Sequence, residues 1–224
     1  LKTLESLAAG DCFQSLGLDR RNALWHVRGL DKGGPLPLFE YAEAEAIGTD
    51  THVDLPEMTL GENVVTDYQT LRLSLKAHPL SLLRPYFSQE GVIPALDLLS
   101  CKNGEIVQLT GLVLVRQRPG TASGVIFITI EDETGVANLI VWPKLMERLR
   151  PVVMAARLLK VKGRVQKAEG VIHIIAIDLK DESQAIHRLM EEGGATGRPT
   201  SLSQQPLAGH PRNIRIIPAS RDFH

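Results

Sequence analysis

Near residue 104 the hydrophobic period of the sequence changes, and helical spacing gives way to alternation of apolar and polar residues. Residues 104–120 form a long β-rich run. A second run, 123–143, contains an acidic Asp-Glu-Thr-Gly turn that divides it into two strands. Pro143 suits the start of a helix, and two more strands, 157–166 and 171–179, flank a short loop ending at Gly170.

Three strands, a helix and two strands make up the order of an OB barrel, in which the helix plugs one end of the barrel between the third and fourth strands. The sequence therefore predicts an α+β protein in several parts. A helical N-terminal segment precedes a five-stranded OB-fold β-barrel over residues 104–180 and a C-terminal tail.

The parts outside the barrel follow from composition and period. Residues 1–30 read as two short helices joined by a Gly-containing turn, a hairpin that can hold a DNA backbone but is also an ordinary packing unit. Residues 31–62 form an acidic linker with one Lys and eight Asp or Glu. Residues 63–103 form a helical connector, with Val64, Tyr68, Leu71 and Leu75 at helical spacing.

After the barrel, residues 181–224 begin with an amphipathic segment and end in a basic, apolar tail. A tail without a binding role would not need Ile214, Ile216, Ile217 and Phe223, so we expect it to dock on its own barrel or on a partner.

The net charge of −1 conceals an uneven distribution of charge. Residues 104–180 carry eleven Lys and Arg against seven acids, and residues 195–224 carry four Arg against one Asp.

Two cysteines in 224 residues argue against a disulfide framework or a thiolate metal site. There is no signal peptide and no apolar run of membrane-spanning length, which leads us to expect a cytoplasmic protein without a membrane partner, and the absence of an initial Met suggests a fragment.

The barrel strands supply the candidate nucleic-acid-binding residues. Alternation places Lys160, Lys162 and Arg164 on one face of the fourth strand, and Phe127 on the second strand could stack a base. Arg116 and Arg118 lie where the first strand enters a flexible loop. Two alternatives stay open, because such cations are also usual on a solvated strand face and Phe127 could belong to the core. An OB barrel that binds only proteins, without DNA affinity, fits the same residues.

The sequence predicts neither catalytic nor metal-binding residues and no cofactor. Adjacent acids at Glu131, Asp132 and Glu133 point to opposite faces of a strand and precede a turn. Seven histidines are scattered without ligand spacing, and neither a phosphate-binding loop nor a nucleophile elbow occurs.

Three sequence segments together are specific enough to indicate one protein family: SLKAHPLSLLRPYF, GLVLVRQRPGTASGVIFITIEDETGVANLIVWP and HPRNIRIIPASRDFH. They resemble the C-terminal region of bacterial error-prone DNA polymerases, relatives of the C-family polymerase alpha subunit. The resemblance implies that residues 1–30 end a helix-hairpin-helix domain that holds primer-template DNA, and that the barrel lies near single-stranded template. It also implies that the metal-binding palm aspartates, and the Mg that the parent polymerase would use, belong upstream, so this fragment is non-catalytic.

Partner-binding segments also follow from the resemblance. Pro35 to Phe39, with Leu36, Leu38 and Phe39, resembles a sliding-clamp-binding peptide but lacks its initial Gln. An anchor for the linker on its own protein is the alternative. The basic terminus, with Arg212 and Arg215, could contact an accessory Y-family-like protein. A tRNA-anticodon-binding OB domain shares the strand pattern and stays a third possibility for the chain.

Overall fold

The computed structural model describes residues 1–30, 55–120, 124–168, 170–191 and 221–223. The chain divides into two compact units, residues 1–59 and 60–224. The predicted partner-binding residues Leu36, Leu38, Phe39, Arg212 and Arg215 lie outside the described residues.

The first unit is a short helical hairpin. Helix α1 (Lys2–Ala9) is followed by a 3-10 turn, Gln14–Leu16, and by helix α2 (Arg20–Gly29). Asp19 caps α2, as expected, by accepting a hydrogen bond from the Asn22 backbone N–H at 2.8 Å. The small core of this hairpin contains the buried residues Ala8, Ala23 and Val27.

The second unit contains the barrel. Its five strands are β1 (Ile106–Gln117), β2 (Ile126–Asp132), β3 (Gly135–Val141), β4 (Leu158–Ala168) and β5 (Val171–Asp181). The strand order is β2-β3-β5-β4-β1, and pairing of β1 with β2 closes the sheet. Only the β3–β5 pair among these strands is parallel. This is the predicted five-stranded barrel.

Strict alternation fixes which side chains fill the barrel. Along β2, Ile126, Ile128 and Ile130 are buried, whereas Phe127 and Thr129 between them face outward and are partly exposed. On β4, Gly163 faces a place too tight for any larger residue. A Cβ atom there would lie 2.3 Å from Ile174 Cγ2, so glycine is required where β4 and β5 approach each other at a bulge.

Two short helices, α5 (Pro143–Arg148) and α6 (Arg150–Ala155), connect β3 to β4. Pro143 begins the first helix as predicted, and the break at Leu149 comes just before the second proline, Pro151. Leu145 and Val153 from these helices join the barrel core. The inserted helices therefore occupy the place that the strand order predicts.

The helical connector covers part of the outer barrel surface. Helix α3 (Leu60–Thr70) and helix α4 (Pro79–Gln89) pack with a 3-10 turn, Ser183–His187, and helix α7 (Arg188–Glu191), which follow β5. Together with β-strand residues they form a second core, which includes Val65, Leu83, Phe87, Leu112, Leu158, Ile186 and Leu189.

One expectation for the connector is wrong. The predicted helical period continues through Leu71 and Leu75, but α3 ends at Thr70 and these leucines are 48% and 95% exposed. The physical reason lies in Arg72, which has a φ of +69°, a value that no α-helix accommodates.

The connector is anchored to the turn between β2 and β3 by Arg84. Its Nε donates to Glu133 Oε1 at 2.6 Å and its Nη2 donates to Asp132 Oδ2 at 2.9 Å. Asp132 also accepts hydrogen bonds from the backbone N–H of Ala95 at 2.7 Å and of Thr134 at 2.8 Å. The acidic cluster is therefore a hairpin turn, as predicted, and it also holds the connector.

A sixth strand, β6 (Arg221–Phe223), pairs in parallel with the end of β1. This strand lies in the C-terminal tail that we expected to dock, and its site is the protein's own barrel. In the part of the chain that the structure describes, no helix is long and apolar enough to cross a membrane.

Candidate nucleic-acid interface

A lateral row of outward-facing residues runs around the barrel. Following the register from strand to strand, Gln117 on β1 pairs with Phe127 on β2, Phe127 with Ile140 on β3, Ile140 with Ile175 on β5, and Ile175 with Arg164 on β4. Three of these side chains, Phe127, Ile140 and Ile175, are partly exposed, and Arg164 is exposed. With strands about 4.8 Å apart, the backbone positions of Phe127 and Arg164 lie three strand spacings, roughly 14 Å, from each other along the sheet.

A second, more polar row lies next to the first. Thr129 pairs with Asn138, Asn138 with His173, and His173 with Gln166. The Thr129 hydroxyl donates to Asn138 Oδ1 at 3.0 Å. Nδ1 of His173 is buried and forms no hydrogen bond with any described residue. This row supplies a few polar groups beside an apolar strip.

Arg118 marks one end of this face. It follows β1 directly, at the start of the loop that leads to β2, and its side chain is exposed. Residues 121–123 of this loop lie outside the described residues. Loops between the first two strands are places where OB barrels contact their ligands, so Arg118 stays a candidate for phosphate contact.

The three cations predicted on β4 have different environments. All three alternate with the buried residues Leu159, Val161 and Val165 as expected. Lys160, however, forms an ion pair with Glu90 at 2.5 Å, and its side chain is only 15% exposed. The hydrogen bond from Lys160 is the main cause of the lowered pKa of Glu90. Lys160 therefore holds the connector to the barrel. The prediction that it contacts phosphate is wrong, because its charge is paired with Glu90.

Lys162 and Arg164 remain available on the same strand. Both are exposed, and neither forms an ion pair with an acidic residue among those the structure describes. Nη1 of Arg164 donates to the carbonyl oxygen of Gly104 at 3.3 Å, which orients the guanidinium without neutralising it. These two side chains form the cationic edge of the face.

The predicted phosphate contact of Arg116 is also wrong. Its side chain is buried, with 7% of the residue exposed, and its Nε donates to the carbonyl oxygen of Val153 at 2.5 Å. Nη2 donates to the carbonyl oxygen of Ala156. These bonds satisfy carbonyl groups at the end of α6 and attach it to the barrel. Arg116 therefore has a structural role and cannot contact phosphate in this conformation.

Trp142 was not among the residues predicted from the sequence. It directly follows β3 and is 52% exposed. Alternation puts it on the same side as Ile140, two residues earlier, so the string NLIVW contained the signal. Trp142 adds a second aromatic side chain to the part of the face that contains Phe127.

The described residues do not bring together a metal site. Among them, no group of three or more His, Cys, Asp or Glu side chains could hold a metal ion. The acids that do lie close together, Asp132 and Glu133, are hydrogen-bonded to Arg84.

Comparison with known proteins agrees with this geometry. Residues 104–182 match a family model described as an OB-fold nucleic acid binding domain. The barrel is therefore an OB-fold domain of a nucleic-acid-binding class.

The whole chain is similar to a longer kind of protein. It is 48% identical over its full length to the error-prone DNA polymerase of Rhodopseudomonas palustris strain HaA2, and 47% identical over 97% of its length to that of Brucella abortus biovar 1 strain 9-941. The predicted resemblance to error-prone DNA polymerases is confirmed. The chain spans about a fifth of these relatives, 21% and 20% of their lengths.

Among solved structures, asparaginyl-tRNA synthetase from Pyrococcus horikoshii, complexed with asparaginyl-adenylate, matches 41% of this chain and 22% of its own chain. The TM-score is 0.36 and the sequence identity is 22%.

Proposed function

We propose that this chain is a non-catalytic part of an error-prone DNA polymerase that holds single-stranded DNA on the outer face of its OB barrel. The observation that supports the proposal most directly is the row that joins Phe127 to Arg164 across β2, β3, β5 and β4. Aromatic and apolar side chains lie at one end of this row, and Arg164 lies at the other, with Lys162 two positions away on the same strand. Neither cation has an ion-pair partner among the residues that the structure describes. OB folds use this combination to stack bases and to follow the phosphate backbone.

The composition of the face favours binding with little sequence selectivity. Phe127 and Trp142 offer ring faces, which stack with any base, while Lys162, Arg164 and Arg118 offer charge to phosphates. Stacking and charge do not distinguish one base from another. A template strand that contains damaged bases requires this kind of tolerance, which suits synthesis past lesions.

Fluorescence anisotropy with a labelled 20-mer oligothymidylate tests the proposal on the whole 224-residue chain. We expect saturable binding that weakens linearly with the logarithm of the salt concentration, since phosphate contacts release counterions. Absence of a saturable signal at low salt would instead support a module that binds only proteins. Tighter binding to an RNA anticodon stem-loop than to the DNA strand would support the tRNA-binding alternative.

The activity and partners of the whole polymerase are further proposals. The parent enzyme would use Mg at palm aspartates outside this chain, and it would act in the cytoplasm on primer-template DNA. Residues 1–30, a compact hairpin with an ordered turn, would contribute to the contact with duplex DNA. Gel-shift comparison of a primer-template duplex with a single strand would show whether the chain prefers either one.

Two docking segments complete the proposal. Leu36, Leu38 and Phe39 would bind the sliding clamp, and the tail with Arg212 and Arg215 would bind an accessory Y-family-like protein. Surface plasmon resonance with the purified clamp tests the first contact, with Leu38→Ala/Phe39→Ala as the variant. Equal binding by the parent chain and this variant would contradict it. Charge reversal at Arg212 and Arg215 provides the corresponding test with the accessory protein.

A further inference from the structure

The end of strand β1 has a neighbouring strand on each side. Val115, Arg116 and Gln117 pair with β2 on one side and with Arg221–Phe223 of β6 on the other. Strand β4 pairs with the earlier part of β1, and this pairing ends at Leu112. Strand β6 therefore occupies a stretch of β1 that would otherwise be an open sheet edge with unpaired backbone groups.

The segment covered by β6 leads directly into the nucleic-acid face. Gln117, the last residue of β1, pairs with Phe127 and with Phe223 on its two sides. Arg118 follows as the next residue and starts the loop between β1 and β2. The side chain of the inward-facing Arg116 is fixed by its bonds to Val153 and Ala156. Strand β6 holds the backbone of the same segment from the side that β2 does not cover.

From this arrangement we propose that docking of β6 on β1 regulates the nucleic-acid face. The inference rests on the proposed function, since it concerns affinity for DNA at the same face. When β6 is docked, the backbone of Val115–Gln117 is held from both sides, and Arg118 and Phe127 keep the positions that bind the strand. When β6 is released, this end of β1 becomes an edge, opens more often, and binds DNA less tightly.

The extent of the pairing makes such a switch reversible. Only three residues of β6 pair with β1, whereas seven residues of β4 do so. A pairing of this length contributes a few backbone hydrogen bonds, each with a modest net free energy. Residues 192–220 separate β6 from α7, so docking is an intramolecular association governed by the effective concentration of the tethered strand.

A pair of variants with equal charge tests the inference. Asp222→Pro/Phe223→Pro removes two consecutive backbone N–H donors, so whichever set of alternating amides faces β1 loses a donor. The control, Asp222→Asn/Phe223→Val, has the same net charge and keeps both donors. Both variants retain every arginine of the tail, which excludes a simple loss of positive charge.

Two measurements are made on each variant. Hydrogen exchange without DNA is expected to be about fivefold faster at residues 115–118 in the proline variant, the change expected for roughly one backbone hydrogen bond. Binding to the oligothymidylate strand is expected to weaken by a similar factor. The control is expected to match the parent chain in both measurements.

A cross-linked variant complements the proline substitutions, which could disturb more than β6. Gln117→Cys/Phe223→Cys, with Cys12→Ser and Cys101→Ser, joins two positions that are adjacent in the register. Neighbouring strands lie about 4.8 Å apart, within the Cα separations that a disulfide spans. The oxidised form is expected to bind DNA several-fold more tightly than the same protein after reduction.

The possible outcomes separate this inference from the proposed function. If the parent chain binds the strand but the proline variant, or the reduced and oxidised forms of the cross-linked variant, bind equally well, the regulatory inference is wrong and the proposed function stands. If the parent chain does not bind the strand at all, the proposed function fails and this inference fails with it. Unchanged exchange at residues 115–118 in the proline variant would contradict the docking itself.

Discussion

Lys160 on β4 donates to Glu90, just after helix α4, at a distance of 2.5 Å. Two strand positions further on, Lys162 is exposed and has no acidic partner among the described residues. The same strand face thus changes from an intramolecular contact to a candidate nucleic-acid contact within two residues. The contribution of each cation to DNA binding is therefore expected to differ sharply.

The first prediction concerns the salt dependence of DNA binding. Lys162→Ala/Arg164→Ala removes two phosphate contacts, so the slope of the logarithm of affinity against the logarithm of salt should become shallower by about 1.4, or roughly 0.7 per contact with a single strand. Anisotropy titrations over a range of salt concentrations measure this slope.

Lys160→Ala provides the matched control for that measurement. It removes the same kind of charge from the same strand face, but one already neutralised by Glu90. Its slope should stay that of the parent chain, while the free energy of unfolding should fall by about 1 kcal/mol because the ion pair is partly buried. Equal slopes for the parent chain and the double variant would remove β4 from the proposed interface.

The second prediction concerns base stacking on Phe127. Phe127→Leu keeps an apolar side chain on the outer face of β2 but removes the aromatic ring, so affinity for the strand should fall with little loss of stability. Stacking of one base contributes about 1–3 kcal/mol, which corresponds to a fivefold or greater loss of affinity. Thermal unfolding of the same variant shows whether the barrel is intact. Unchanged affinity would identify Phe127 as a packing residue only.

The barrel could be predicted because its strands follow a two-residue period that is independent of distant contacts. Ile126, Ile128 and Ile130 are buried as the alternation requires, and Phe127 faces outward between them. The turn at Asp132 was equally local, since its carboxylate accepts from backbone N–H groups of the next residues along the chain. Features fixed by neighbours in sequence were therefore predictable.

The availability of each cation was not predictable, because it depends on residues far away in sequence. Lys160 meets Glu90, which is seventy positions earlier, and Arg116 meets carbonyl groups about forty positions later. Alternation gives the face on which a side chain lies, but it does not show what covers that face. The row from Phe127 to Arg164 likewise depends on the register of four strands, which no local pattern specifies.

The third prediction concerns Arg84, whose side chain is 16% exposed and is paired with the carboxylates of Asp132 and Glu133. The hydrogen bond with Glu133 is the main cause of the raised pKa of Arg84. Arg84→Met should lower the free energy of unfolding by about 3 kcal/mol, because it leaves these carboxylates without their cation at a mostly buried site. Urea unfolding measures this loss.

Arg148 supplies the matched control for Arg84. It also pairs with an acid, Asp178, at 3.4 Å, but the two side chains are 61% and 62% exposed. Arg148→Met should therefore change stability by less than about 1 kcal/mol. A similar small loss for Arg84→Met would show that the connector is not anchored to the β2–β3 turn by this contact.

The fourth prediction concerns pH and the N-terminus of α4. Nδ1 of His78 accepts a hydrogen bond from the backbone N–H of Leu80 at 3.1 Å, so this nitrogen must be unprotonated for the helix cap to form. Burial lowers the pKa of His78 below its ordinary value, although Glu131, Glu133 and Asp132 act to raise it and Arg84 acts with burial to lower it.

The sign of the pH effect follows from that direction. Below the ordinary value of about 6.5, the unfolded chain takes up a proton that the folded protein binds less readily, so stability should fall as the pH drops from 7 towards 5. The slope can reach about 1.4 kcal/mol per pH unit for one group.

The variant His78→Asn retains a side-chain cap without a titrating group, so the stability of this variant should decline less over this interval. The carboxyl groups with lowered pKa, Asp132 and Glu90, lose their contribution only at more acidic pH. Urea unfolding at pH 7 and pH 5 compares the two proteins, and parallel losses would contradict the role assigned to His78.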